Sequence, residues 1–489
     1  MASTFHVENF GCRAARADGE AMGARLRAAG HCEQEGSGTD LVVVNTCSVT
    51  AEADRAARAF IRRAHRLNPE ARIVVTGCYA QRAPEELANL AGVAAVVGNS
   101  HKALAPEIAL KLLALTMLHT GKELIQIQPA NLEQASSEQL APPQVVWADD
   151  RFAHSFLEEA QVVPGVQTRP NLKIQEGCGN RCTFCVIPQT RGPSKSLPAA
   201  VVMRQVEGFV AAGGNELVLS GINLGRWGRD LPSTGGAVPH TLSGLVRQIF
   251  ERTALPRLRL SSIEPMDWDT EMIALMAEFG GSRLARHAHL PLQSGSDAVL
   301  RRMHRRYRPW HYTQKVAALL RAAGPELTLG ADVMVGFPSE TDAEFEETLA
   351  LVRAFPFGYL HLFPFSPRPG TAAWALHDER PVPAATVEER MAALRALAAE
   401  KSKTHRRGFV GRDLEAITLH TARERSAQGH TAALTENFLP VEMAGCLPAN
   451  LLLRLHVTGM NAEGTLQAKV TETSDTAGLA SHCEDFVPA

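Results

Sequence analysis

Three cysteines fall within eight residues, Cys178, Cys182 and Cys185, directly after the run NLKIQEG. A Cys-x-x-x-Cys-x-x-Cys loop behind a strand is tight enough for three thiolates to face one centre, and thiolate-only ligation suits zinc or an iron–sulfur cluster. A zinc ribbon needs a second cysteine pair nearby, and no other CxxC occurs in the 489 residues. The loop therefore favours an iron–sulfur centre with three protein ligands.

The flanking sequence supplies the scaffold. After NLKIQEG, strands are expected at ELVLSG, RLRLSSI, HAHLPL, TLGADVMVG and YLHLFPF, with helical segments such as LPAAVVMRQVEGFVAAG and ETDAEFEETLALVRAF between them. Six βα units make a partial barrel with function at the carboxyl ends of its strands. Upstream, FHVENFG, DLVVVNT, ARIVVTG and AAVVG alternate with helical runs, which implies a mostly parallel α/β sheet. Cys12, Cys47 and Cys78 each follow one of these strands, about one βα repeat apart, so three thiols share the sheet edge where ligands bind. Position alone leaves them equally readable as unrelated core-edge thiols. From residue 408, five short alternating runs predict a small β-barrel.

The expected class is α/β, as an N-terminal domain (1–109), a linker or insertion (110–165), a partial barrel (166–407) and the small β-barrel (408–489). The stretch NLEQASSEQLAPPQ, polar and Pro-containing, suits an exposed linker. At 45% hydrophobic and 21% charged residues, the chain can bury several cores and is not disordered. No apolar run reaches membrane-spanning length, and MASTFHVENFGC lacks a signal core, so a soluble cytoplasmic protein is expected. Nine cysteines make a poor disulfide framework, and Cys32, Cys446 and Cys483 read as ordinary thiols.

The motifs ENFGC, NTCSVTAEADR, VTGCYAQRAPEEL, KIQEGCGNRCTFCVIPQTRGPSKS, SGINLG, RLSSIEP, HLPLQSGSD and DVMVGFPSET resemble the radical S-adenosylmethionine methylthiotransferases, over roughly residues 5–100 and 165–410. Among these they look most like the bacterial enzymes acting on threonylcarbamoyladenosine in tRNA. The resemblance implies two 4Fe-4S clusters, one on Cys178, Cys182 and Cys185 and one on Cys12, Cys47 and Cys78, together with S-adenosylmethionine, and it gives the small β-barrel (408–489) the place of the family's RNA-binding barrel. It implies methylthiolation of carbon 2 of the nucleoside next to the anticodon, at position 37, with a tRNA substrate, a sulfur source and a low-potential donor such as flavodoxin or ferredoxin. Identical cluster motifs serve sister enzymes acting on isopentenyladenosine or on a ribosomal-protein aspartate. A non-catalytic iron–sulfur sensor that binds RNA is the rival of another class. Where the family often has Lys/Arg-Val-Asn-Gln after the first cysteine, this chain has Arg13-Ala14-Ala15-Arg16.

Other residues carry expectations of cofactor or RNA contact. Phe184 occupies the superfamily's aromatic position near the adenine of the cofactor. Gly213 and Gly214 precede the second strand, where close backbone approach to a ligand is expected. Glu264, Gln293 and Ser294 follow the third and fourth strands, and Asp332 and Glu340 either meet ligand or cap a helix. Arg58 and Arg62 lie in a basic helix, and Arg305, Arg306 and Tyr307 lie in RRMHRRYRPWHY, where cations interleaved with aromatics suit phosphates and stacked bases. The net charge of −2 hides these runs against an acidic last domain.

Overall fold

The computed structural model describes residues 3–34, 39–120, 145–150, 152, 169–232 and 240–473. The chain forms two compact units, Met1–Ala160 with Glu176–Asn180 and Cys185–Ser194, and Gln161–Gln175 with Arg181–Phe184 and Lys195–Ala489.

In the first unit, β1 (Thr4–Asn9), β2 (Cys32–Glu33), β3 (Leu41–Thr46), β4 (Arg72–Gly77), β5 (Val93–Gly98) and β6 (Val145–Trp147) form one sheet in the order β2-β1-β3-β4-β5-β6. Every pairing in it is parallel. The unbroken apolar run of β3 follows from helices covering both faces. Val42 and Val44 pack with Ala57 and Ile61 of α2 (Ala51–Leu67), whereas Leu41 and Val43 pack with Met22 and Leu26 of α1 (Arg13–Ala28) and with Ala109 and Leu113 of α5 (Ala105–Thr120). Two short helices, α3 (Cys78–Arg82) and α4 (Pro84–Ala88), follow β4. Thr50 caps α2 by accepting from the Ala53 amide, a contact worth about 1 kcal/mol.

Part of the segment 110–165 is thus not linker: α5 runs on to Thr120 and β6 adds a strand to the sheet. Apolar Val145–Trp147 extends a sheet edge that a polar linker would leave unpaired. NLEQASSEQLAPPQ and Cys483 lie outside the described residues.

The second unit carries the six expected strands as β7 (Asn171–Glu176, its last residue counted with the first unit), β9 (Glu216–Gly221), β10 (Arg257–Leu260), β11 (His287–His289), β12 (Thr328–Val335) and β13 (Phe357–Pro364). A two-residue strand, β8 (Lys195–Ser196), extends the edge, giving one sheet in the order β10-β9-β7-β8 and another in the order β11-β12-β13. The two sheets meet through a parallel bridge of Leu258 with Leu284 and through the Ile263 amide donating to the His289 carbonyl. Helix starts are set locally: Asp269 accepts from the Met272 amide, and Thr341 and Glu344 form a capping box.

The final strands, β14 (Asp413–Thr418), β15 (His430–Thr435), β16 (Pro440–Ala444), β17 (Leu452–Met460) and β18 (Leu466–Thr473), close into a barrel in the order β14-β15-β16-β18-β17 around Leu414, Val441, Leu453, Leu455 and Leu466. It seats against the amino ends of the partial-barrel strands. Arg257 reaches Glu415 at 2.9 Å, Arg259 the Thr435 carbonyl at 3.1 Å and Arg286 Glu436 at 2.9 Å.

His405, on the long helix Ala384–Arg407, is bonded to Thr328 at 2.8 Å and is held to about pH 4 by burial and then by Arg406. Its folded pKa lies below the unfolded value of about 6.5, so the unfolded chain binds the extra proton first. Stability is therefore expected to fall as pH drops from about 6.5 toward 4, and His405→Gln should flatten that part of the profile in urea unfolding at pH 7 and pH 5. An unchanged slope would show that His405 does not contribute to it.

Candidate iron–sulfur and cofactor site

Cys12, Cys47 and Cys78 all leave the carboxyl edge of the first sheet, from the neighbouring strands β1, β3 and β4. Gly11 brings two of the loops together. Its φ is +106°, and a Cβ there would fall 2.5 Å from the Cys47 Cβ and 2.7 Å from its sulfur. Only glycine fits that approach. Burial, then charge on Cys78 and Cys12, pushes the Cys47 thiol up to about 12. The Cys47 thiol, within electrostatic range of Cys12 and Cys78, is thus held neutral until a positive centre arrives.

Behind Cys78 lies a buried set of charges that sequence reading did not single out. Arg191, at the end of α6 (Ile187–Arg191), donates from Nε to the Cys78 sulfur at 3.1 Å, and from Nη1 to Glu176 at 2.6 Å and Asp18 at 3.2 Å. Lys102 bonds to Glu176 and lies 3.4 Å from Asp18. Asn99 also donates to the Cys78 sulfur, at 3.4 Å, and to the Thr190 carbonyl at 2.8 Å. The Arg191 Nη2 is buried with no hydrogen-bond partner among the described residues. A thiolate-only donor set beside a buried guanidinium with an N–H to spare fits an anionic iron–sulfur cluster, whose sulfurs accept hydrogen bonds.

The loop after β7 carries Cys178, Cys182 and Cys185, all half-buried and in thiol rather than disulfide form. Cys178 and Cys185 are counted with the first unit and Cys182 with the second. In the first unit, the Cys178 amide donates to the Gly192 carbonyl at 3.1 Å. In the second, Arg305 donates to the Cys182 sulfur at 3.2 Å and to Glu264 at 2.6 Å, and Tyr307 accepts from Arg305 while donating to the Pro291 and Leu292 carbonyls. Thr183 is tied on both sides, its amide to the Met303 carbonyl and its carbonyl to the Ala373 amide. Phe184 is half-buried beside these ligands.

Several expectations need correction. Arg305 and Tyr307 are buried at 7% and 0% exposure, so they do not face RNA; their interior hydrogen bonds replace the water that a surface cation would keep. Arg306 is exposed. In the basic helix α2, Arg62 is exposed, as are Arg55, Arg63 and Arg66, whereas Arg58 is half-buried and pairs with Glu86 and Tyr79. Gly213 and Gly214 lie at the amino end of β9, away from the ligand edge. Gly213 turns the chain at φ +79°, and Gly214 leaves room for the Phe209 ring, 2.2 Å from where a Cβ would sit. The backbone at the carboxyl end is instead SGINLG, where Asn223 donates its amide to Gln175 at 2.7 Å. Ser294 bonds to Thr348 and the Ser296 amide, which accounts for it without a ligand. Glu264 serves first to hold Arg305. Gln293 is buried with φ +63° and an unpartnered Oε1 at the carboxyl end of the partial barrel, as a ligand contact would require. Glu340 binds the Gly336 amide and Arg390, which accounts for it without a ligand.

Residues 4–98 match the family described as Uncharacterized protein family UPF0004, and residues 172–352 match the Radical SAM superfamily. The chain is 32% identical, over 91% of its length and 91% of the relative's, to the threonylcarbamoyladenosine tRNA methylthiotransferase MtaB of Bacillus subtilis. It is 31% identical to the tRNA-2-methylthio-N(6)-dimethylallyladenosine synthase of Geobacter metallireducens, over 90% of this chain and 92% of that one. The radical S-adenosylmethionine methyltransferase TsrM of Kitasatospora setae shares the fold at a TM-score of 0.52 and 16% identity, over 76% of this chain and 74% of that one. No helix among the described residues is long and apolar enough to cross a membrane. The superfamily implies a 4Fe-4S cluster and S-adenosylmethionine, and with these relatives and this fold the chain belongs to the radical S-adenosylmethionine methylthiotransferases, enzymes that transfer a sulfur group.

Proposed function

We propose that the protein methylthiolates carbon 2 of threonylcarbamoyladenosine at position 37 of cytoplasmic tRNA, with one 4Fe-4S cluster on Cys178, Cys182 and Cys185 and a second on Cys12, Cys47 and Cys78. The observation that carries this reading is the second set of three thiols at one sheet edge, with the buried Arg191 donating to one of them. Carbon 2 of adenine holds an unreactive hydrogen that no side-chain base removes at neutral pH, so when bound the clusters and S-adenosylmethionine supply the hydrogen abstraction and the sulfur and methyl that replace it.

The chain's own residues position those groups. Arg305, fixed by Glu264 and Tyr307, orients Cys182 and offsets its charge. Arg191 and Asn99 do the same for Cys78. The exposed arginines of α2 and Arg306 offer phosphate contacts. A sulfur source and a low-potential electron donor complete the system. The likeness to MtaB of Bacillus subtilis favours the threonylcarbamoyl nucleoside, while the dimethylallyladenosine relatives define the nearest rival substrate.

Nucleoside analysis of tRNA from a strain lacking this gene tests the substrate. The methylthio form of threonylcarbamoyladenosine should disappear while its unmethylthiolated parent accumulates. Loss of methylthio from isopentenyladenosine instead would overturn the substrate assignment.

A further inference from the structure

One chain of titratable side chains in the second unit, buried at His287 and His289 and exposed at His361, has no part in the cluster sites. His287 Nε2 lies 2.8 Å and His289 Nδ1 2.9 Å from the Tyr359 hydroxyl. His289 Nε2 then lies 3.2 Å, and His361 Nδ1 3.3 Å, from the same Oδ1 of Asp332. The register pairs Asp332 with His361 and Gly330 with Tyr359. Gly330 makes the chain possible: a Cβ there would fall 2.1 Å from the Tyr359 ring, so only glycine lets the phenol lie across β12 to reach β11.

This chain faces the concave side of the partial barrel. The ring of Phe438 is met by Arg259 of β10 at 5.4 Å, His287 of β11 at 4.3 Å and Tyr359 of β13 at 5.4 Å. Side chains from strands that far apart converge on one ring only on the inner face of a curved sheet. Phe438 closes the amino end beneath His287 and Tyr359. The His361 side chain, 63% exposed, is the open end, against 24% for Asp332 and 7% for His289.

The proton pattern follows from counting donors. Burial alone would push the Asp332 carboxyl up, yet hydrogen bonds from His289 and His361 hold it well below the usual carboxylate range. Both ring nitrogens facing the ionised oxygen are therefore N–H donors. Tyr359 has one proton for two imidazoles, so it donates to His289 and accepts from His287. Every contact is then satisfied up to His361, whose Nε2 is the terminus left for a ligand. Asp332 stabilises an imidazolium at His361 when an anion arrives, as a carboxylate does for any histidine it holds by Nδ1.

We propose that His361, backed by Asp332 and His289, is a specificity subsite that binds the carboxylate-bearing amino-acid substituent on the N6 of the substrate adenosine. This rests on the proposed nucleoside and deepens it. An apolar isopentenyl group would cover His361 and Asp332 without pairing them, and sites built around a polar partner reject analogues that lack it by on the order of 10⁴-fold.

The test uses the full reconstituted chain with S-adenosylmethionine and anticodon stem-loop RNAs carrying either threonylcarbamoyladenosine or isopentenyladenosine at position 37. Wild-type protein should methylthiolate the first and not the second. His361→Phe should lower kcat/KM on the first by about 100-fold, mostly through KM, because the contact is remote from the reacting carbon. His361→Gln, which keeps a donor, should recover part of the loss. Iron content and the urea midpoint of His361→Phe should match wild type, which separates lost recognition from misfolding.

If wild-type protein leaves the first RNA unmodified, the proposed nucleoside falls. If wild type modifies it and His361→Phe keeps its KM and its discrimination, the subsite falls while the nucleoside stands. The ligand atoms of His289, Asp332 and His361 lie within 4.8 Å of one another, so a divalent cation is the competing occupant. One equivalent of Zn²⁺ bound beyond the cluster iron, and lost in Asp332→Asn, would overturn the subsite in its favour.

Discussion

Cys47→Ala protein, reconstituted anaerobically, is expected to hold about four irons per chain where the parent holds about eight, to keep forming 5′-deoxyadenosine, and to make no methylthiolated RNA. Cys182→Ala should instead lose both 5′-deoxyadenosine formation and product. The contrast arises because the two sets of thiols have different surroundings: Cys47 sits among Cys12 and Cys78, and Cys182 is held by Arg305. Iron and sulfide assays with product analysis decide it. Methylthiolated product from Cys47→Ala would remove the second cluster from the reading, and wild-type protein that forms no 5′-deoxyadenosine would favour the RNA-binding sensor.

The largest effect on stability is expected at Arg191. It and Lys102 face Asp18 and Glu176 in a site where all four side chains are buried, two charges of each sign. Arg191→Met leaves one carboxylate uncompensated next to the Cys78 sulfur, and breaking a buried pair from one side typically costs about 3–5 kcal/mol. Unfolding of the cluster-free protein in urea, compared with Arg191→Met and with Arg191→Met/Glu176→Gln, measures it. The double variant restores charge balance and should regain a large part of the loss. Equal midpoints for wild type and Arg191→Met would mean that the four charges do not act as one network.

Both sets of thiols and the frame that bears them were legible because β-branched runs, helix stops and Cys positions are local signals. The six partial-barrel strands and the five strands of the last barrel each lie where alternation placed them. What the sequence hid was the direction in which charges point. RRMHRRYRPWHY reads as a uniform basic run, yet between the helices Asp297–Arg302 and Pro309–Ala323 the chain turns through His304 at φ +53°, and Met303, Arg305 and Tyr307 are buried while His304 and Arg306 are exposed. The apolar Met303 and Tyr307 on either side of Arg305 were the available signal. Arg191 and Lys102 gave none, since a lone cation is buried only by partners distant in sequence: Asp18 lies 173 residues from Arg191. Gly213 and Gly214 misled because a turn before a strand and a ligand cradle after one use the same residue.

The seating of the final barrel bears on how this enzyme can be dissected. Arg257, Arg259 and Arg286 are completed by Glu415, the Thr435 carbonyl and Glu436, and Phe438 floors the inner face beneath His287 and Tyr359. A chain cut near residue 408 would take one partner from each of three cations, leaving Arg257 and Arg259 with Glu216 and Arg286 with Glu326, and would uncover the inner face at His287 and Tyr359. The terminal barrel is thus a foundation of the catalytic domain as well as a candidate RNA-reading module, and point substitutions on its outer surface can probe the second role without removing the first.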